Sequence, residues 1–64
     1  MINIKMREAR IEKGLTQAEL AKLINVSRQT INMIENREYN PTIALCIRIC
    51  KALDKKLDEL FWED

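Results

Sequence analysis

At 64 residues and 7.5 kDa, the chain is long enough for one domain spanning residues 1–64, and its composition, 47 % hydrophobic and 33 % charged, excludes a disordered protein. The formal net charge of +1 excludes a polycation and an acidic tail, and the longest apolar run, Ile43–Ile47, is too short to span a membrane. With no His and two Cys, the sequence predicts no catalytic site, no cofactor, no metal site and no disulfide framework, and the cytoplasm is the expected compartment.

The first predicted helix runs from about Lys5 to Glu12. The chain has one Gly and one Pro, which leaves little material for hairpin turns and favours helices throughout. Met6 and Ala9 lie three residues apart and can share the buried face of this helix. Gly14 follows at the position where a positive φ commonly ends a helix.

The second predicted helix has the clearest start signal in the sequence. Thr16 is the expected N-cap, and Glu19 three residues later completes a capping box. Asn25 is expected to end the helix because its short amide tolerates the left-handed conformation. Val26 then stands alone as an apolar residue in a short turn.

The third predicted helix begins after Ser27 and runs to about Asn36. Ile31 and Ile34 mark its buried face. A solvated face would favour Glu and Lys, but the opposite face of this helix is rich in amides. The residues of that face are Arg28, Gln29, Asn32 and Met33.

The fourth predicted helix follows a loop at residues 37–41, has Thr42 as its cap and extends over Ile43–Leu53. It is apolar almost all round, which predicts that it forms the buried centre of the fold. Cys46 and Cys50 lie four residues apart, and small buried core residues are the favoured interpretation because a metal site would need further ligands.

A last short helix is predicted at Leu57–Phe61. Four large apolar residues close the chain, which is more than a small monomer easily buries, so a homodimer contact is favoured over a purely internal core. The predicted dimer interface consists of Leu57, Leu60, Phe61 and Trp62. Residues 1–4 are compatible with a short β-strand that could pair with residues 61–62, or with an extended arm.

Two short helices joined by a three-residue turn form a helix-turn-helix, and residues 16–35 fit that arrangement. Ala21 is small enough for the two helices to approach closely. Arg can donate to guanine, and Gln or Asn can pair with adenine, so the polar face of the third helix suits the base edges of duplex DNA. No Ser or Cys has an evident base partner and no glycine loop could hold a phosphate, so an enzyme is the least favoured class.

The run from Gly14 to Arg37 resembles the Cro/CI helix-turn-helix family, also called the XRE type or lambda repressor-like family. The resemblance continues through Asn40–Thr42 and through 52–61, so it covers nearly the whole chain. The sequence departs from the family pattern at Asn25 and Asp54, where the family usually has Gly.

The resemblance implies an all-α, compact five-helix domain that acts as a dimeric transcriptional regulator, with double-stranded DNA and a second copy as partners and no evident small-molecule effector. It also implies an ion pair between Arg10 and Glu35. It places Gln17 and the Asn36 region on phosphates and the third helix on base edges. The predicted DNA-binding residues are Gln17, Ser27, Arg28, Gln29, Thr30, Asn32, Met33, Asn36, Arg37 and Asn40. The alternative function is an antitoxin-like or adaptor module that uses the same fold to bind a partner protein.

Overall fold

The computed structural model describes residues 3–61, which form five helices joined by short turns. The described residues contain no β-strand, which confirms the expected all-α, five-helix fold. No helix among them is long and apolar enough to cross a membrane. The helices are α1 (Ile4–Glu12), α2 (Gln17–Ile24), α3 (Arg28–Glu35), α4 (Ile43–Leu53) and α5 (Leu57–Phe61).

Hydroxyl side chains begin three of the helices, as the sequence predicts. The hydroxyls of Thr16, Ser27 and Thr42 each accept a hydrogen bond from the backbone N–H three residues later. At α2 the capping box is complete, because Glu19 Oε1 also accepts from the backbone N–H of Thr16 at 2.9 Å. These contacts satisfy N–H groups that have no partner inside the helix and fix where each helix starts.

Left-handed residues end α2 and α4. Asn25 has φ of 60° and Asp54 has φ of 57°, and these are the two positions at which the family pattern has Gly. Gly14 after α1 also has a positive φ, of 73°. Each of these residues turns the chain sharply, and Asn and Asp tolerate the conformation because their short polar side chains bond locally.

All five helices contribute side chains to one core, in which α2 packs against both α3 and α4. The side chains that are fully buried are Met6, Leu20, Ile31, Ile49 and Leu53. Both cysteines are buried and free, and burial raises the pKa of each thiol. They are therefore protonated, unreactive core residues.

The prediction that α4 is buried all round is wrong for one side of the helix. Ile43 is 67 % exposed and Ile47 is 42 % exposed, whereas Leu45, Ile49 and Leu53 face the core. The four other helices, of five to nine residues each, are too few and too short to surround α4, so one side of α4 faces solvent with its apolar residues exposed.

The N-terminal segment forms no strand within the described residues. Asn3 caps α1 instead, and its Oδ1 accepts from the N–H of Met6 at 3.1 Å. Its Nδ2 donates to the carbonyl of Leu60 at 3.0 Å, and its backbone N–H donates to the carbonyl of Glu35. One buried asparagine thus joins the start of α1 to α3 and α5. Residues 1, 2 and 62 of the predicted pairing lie outside the described residues.

The predicted dimer residues of α5 divide between the core and the surface. Leu60 is 3 % exposed and belongs to the core of its own protomer, so it offers almost no surface to a second copy, and its predicted dimer contact stays a prediction. Leu57 is exposed and Phe61 is half-buried against the core. Trp62 lies outside the described residues. With five residues, α5 makes little more than one turn. Leu60 therefore faces the core while Leu57 stays exposed, and the apolar residues do not form one continuous exposed surface.

Candidate nucleic-acid interface

The turn between α2 and α3 brings the two helices together as a helix-turn-helix. The backbone N–H of Val26 donates to the carbonyl of Ala21 at 3.0 Å, and the Val26 side chain packs against the core from the turn. Ala21 is buried where the helices approach each other. The turn therefore fixes α3 relative to α2 through both backbone bonding and packing.

The α3 helix turns its apolar residues inward and its first polar residues outward. Ile31 and Ile34 are buried, and Arg28 and Gln29 at the N-terminal end are exposed. Thr30, Asn32 and Met33 are half-buried at the edges of this face. Ser27 is exposed, but its hydroxyl caps the helix and lies 2.8 Å from the hydroxyl of Thr30.

An ion pair holds the C-terminal end of α3 against α1. Arg10 Nε donates to Glu35 Oε2 at 2.7 Å, and Nη2 donates to Oε1 at 3.3 Å. Arg10 Nη1 also donates to the carbonyl of Leu15 at 2.8 Å. The side chain of Glu35 is 4 % exposed and that of Arg10 is 11 % exposed, so little water screens this contact.

A chain of amides runs from this ion pair along the surface between α2 and α3. Gln17 Nε2 donates to Glu35 Oε1 at 3.1 Å, and Gln17 Oε1 accepts from Asn32 Nδ2 at 3.4 Å. Asn32 Oδ1 then accepts from Asn36 Nδ2 at 3.1 Å. Gln17, Asn32 and Asn36 are three of the residues that the sequence predicts to bind DNA. The structure brings them together in one hydrogen-bonded chain.

Arg7 is a residue of this site that sequence reasoning missed. It lines one shallow, open hollow together with Arg10, Gln17, Asn32, Glu35 and Asn36, and its side chain is exposed. The signal for it was present, because Arg7 precedes Arg10 by three residues and so lies on the same side of α1.

Arg37 and Asn40 extend the predicted set into the loop after α3. Both are exposed. Arg37 has φ of 58°, and its backbone N–H donates to the carbonyl of Ile34 at 3.1 Å. Both residues line a second hollow that Tyr39 also borders. Over the part of the chain that is described, no cluster of side chains has the composition of a metal site.

The five-helix arrangement, with α3 held by α2 through a three-residue turn, is that of a helix-turn-helix domain. A family model described as helix-turn-helix, HTH_3, matches residues 6–60. The chain therefore belongs to the XRE-type helix-turn-helix family of DNA-binding transcriptional regulators, which are not enzymes.

Three proteins illustrate the similarity. An uncharacterised HTH-type transcriptional regulator of Bacillus subtilis, YgzD, is 38 % identical over 91 % of this chain and 88 % of its own. The crystal structure of the restriction-modification controller protein C.AhdI of Aeromonas hydrophila superposes with a TM-score of 0.83 and 33 % identity, covering 89 % of this chain and 86 % of that one. Antitoxin HipB of Escherichia coli is 37 % identical over 77 % of this chain and 56 % of its own.

Proposed function

We propose that this protein is a sequence-specific repressor that binds a palindromic operator as a homodimer, with α3 in the major groove. One observation carries the proposal. Arg28 and Gln29 are exposed at the N-terminal end of α3, while Ile31 and Ile34 fix the other side of the helix in the core. A recognition helix needs this combination of a rigid body and free donors and acceptors at its N-terminal end.

The proposal assigns base contacts and phosphate contacts to two different groups of residues. Arg28 and Gln29 contact base edges, which carry sequence information. The backbone phosphates bind beside them, at the N-terminal end of α2 near Gln17 and along the hollow that Arg7 borders. The loop residues Arg37 and Asn40 extend the phosphate contacts past the end of α3.

The exposed apolar side of α4 and the start of α5 supply the dimer surface. Ile43 and Ile47 lie four residues apart on one side of α4. Cys50, one turn after Ile47, is buried, and α5 packs against α4. Leu57 opens α5 and is exposed. A second copy that covered these three residues would place two α3 helices to contact half-sites about 34 Å apart.

A protein-interaction module is the second candidate function. The similarity to Antitoxin HipB favours it, because that name denotes a protein that counteracts a toxin. An interaction module has no need for Arg28, Gln29 and a phosphate-binding hollow on one face. The two candidates therefore differ in whether purified protein alone selects a DNA sequence.

Selection of duplexes from a random pool by the purified protein tests the proposed function. We expect a palindromic consensus, because a two-fold dimer presents the same α3 face twice. The absence of an enriched sequence at moderate salt would favour the interaction module. Repression of a reporter placed behind the selected operator tests the sign of regulation, and activation of that reporter would contradict a repressor.

Two variants then test the division between base and backbone contacts. Replacing Gln29 with Ala is expected to cost about 1–3 kcal/mol of binding free energy and to relax the preference at one position in each half-site. Replacing Gln17 with Ala is expected to weaken binding to all duplexes evenly, because phosphates carry no sequence information. Binding constants for a series of substituted operators distinguish the two patterns, and unchanged affinity in both variants would contradict the docking of α3.

A further inference from the structure

In the amide chain between α2 and α3, each side chain donates to the one before it, and the carboxylate of Glu35 determines this order of donors and acceptors. A carboxylate only accepts hydrogen bonds, so Gln17 must turn its Nε2 toward Glu35 Oε1. The oxygen of Gln17 then faces Asn32 and requires a donor, which is Asn32 Nδ2. The oxygen of Asn32 in turn requires a donor, which is Asn36 Nδ2 at 3.1 Å. One buried charge thus orients three amides in succession.

Asn32 occupies the middle of this chain, and its amide is engaged at both ends. An amide recognises adenine with its donor and its acceptor together on one base. Each end of the Asn32 amide keeps one further N–H or lone pair, but Asn32 is half-buried and its two hydrogen bonds hold the plane of the amide between Gln17 and Asn36 rather than toward a base. A phosphate needs only one donor, and Nε2 of Gln17 keeps a second N–H for it. Gln29, one turn earlier on α3, is exposed and takes part in no such chain.

We propose that Asn32 is a positioning residue, which holds the amides of Gln17 and Asn36 in orientation for the DNA backbone and contacts no base edge itself. The inference rests on the proposed function, since it assigns a role within the same interface. It assigns different roles to Gln29 and Asn32, two amide residues on the same helix. Gln29 determines which sequence is bound, and Asn32 determines how tightly any sequence is bound.

The first test needs no DNA. In the free protein, nuclear magnetic resonance follows the side-chain amide groups of Gln17 and Asn36, and Gln29→Ala serves as a matched control on the same helix. In Asn32→Ala we expect both amide signals to shift and to exchange faster with solvent, and in Gln29→Ala we expect neither to change. Unchanged amide signals in Asn32→Ala would overturn the proposal.

A second variant guards against a folding effect. If Asn32→Ala loses helix content, Asn36→Ala removes only the outer end of the chain. It is then expected to shift the amide signal of Asn32 while the Arg10–Glu35 ion pair stays in place. An unmoved Asn32 signal in that variant would equally contradict a connected chain.

The second test uses the selected duplex and a series in which each base pair of one half-site is replaced in turn, all at one salt concentration. Asn32→Ala is expected to weaken binding to every duplex by the same factor, about threefold to tenfold, as for the loss of a hydrogen bond. Gln29→Ala is expected to lose discrimination at one base pair. A loss of discrimination at one base pair in Asn32→Ala would overturn this proposal alone. A wild-type protein that selects no duplex would contradict the proposed function as well.

Discussion

Glu35 and Asn3 are the buried polar side chains among residues 3–61, and each holds several elements together. Asn3 contacts α1, α3 and α5 through three hydrogen bonds. Glu35 accepts from Arg10 and from Gln17, which belong to two other helices. A buried polar group is tolerated only when it is hydrogen-bonded, and in this small core such groups also fix how the helices are oriented.

Removal of the Glu35 carboxylate is therefore expected to destabilise the fold strongly. Glu35→Ala leaves the guanidinium of Arg10 largely buried without its partner, which typically costs about 3–5 kcal/mol of unfolding free energy. Glu12→Ala is a matched control, because Glu12 also pairs with a cation, Lys55 at 3.7 Å, but its side chain is 72 % exposed. The control is expected to change stability by less than about 1 kcal/mol.

Urea denaturation of the two variants measures this difference. Equal losses of stability in Glu35→Ala and Glu12→Ala would mean that the Arg10–Glu35 pair behaves like an exposed one. A strongly destabilised Glu35→Ala would also bind DNA poorly, so its binding is compared only at temperatures where it remains folded.

At the scale of the helix, the local signals of the sequence were sufficient to predict α2, α4 and α5. A hydroxyl followed by a helix-forming run needs no tertiary information, so α2 and α4 begin after Thr16 and Thr42 as predicted. The first helix starts one residue earlier than predicted, because Asn3 caps it with the help of contacts to distant residues.

Long-range packing explains what the sequence did not predict. The apolar residues of α4 surround the helix, so their pattern could not indicate that Ile43 and Ile47 would face solvent. For the same reason Leu60 could not be distinguished from Leu57 as the buried residue of α5. The amide chain joins residues up to 18 positions apart, and the order of its members depends on how α1, α2 and α3 pack.

The cap of α2 yields a prediction at this scale. Thr16→Ala removes the hydroxyl that accepts from the N–H of Glu19 and is expected to cost about 1 kcal/mol of unfolding free energy. Thr16→Ser keeps the hydroxyl and is expected to stay close to the wild type. Thermal unfolding measures both variants, and a Thr16→Ala protein as stable as Thr16→Ser would contradict a stabilising role for the capping box.

For the whole molecule, the proposed dimer links stability to DNA binding, because both would then depend on a second copy that covers the exposed side of α4. A chain of this size buries a small core, and one recognition helix offers few base contacts. Association of two copies would add buried apolar area and would link two half-site contacts, which raises affinity through effective concentration. Leu60 cannot report on this association, because a charge at that position would disrupt the core of the protomer itself.

Ile47→Asp tests the dimer without disturbing the core. Ile47 is 42 % exposed, so we expect the variant to keep the helix content of the wild type while its molar mass at micromolar concentration falls from that of a dimer to that of a monomer. Leu23→Asp is the matched control, because Leu23 is also an exposed apolar residue but lies on α2 and is not part of the proposed surface. It is expected to remain a dimer.

Light scattering gives the molar masses of both variants. The dependence of operator binding on protein concentration should become shallower in Ile47→Asp alone. A monomeric wild type, or a dimeric Ile47→Asp, would contradict a dimer formed through α4, and a monomeric Leu23→Asp would place the contact on α2.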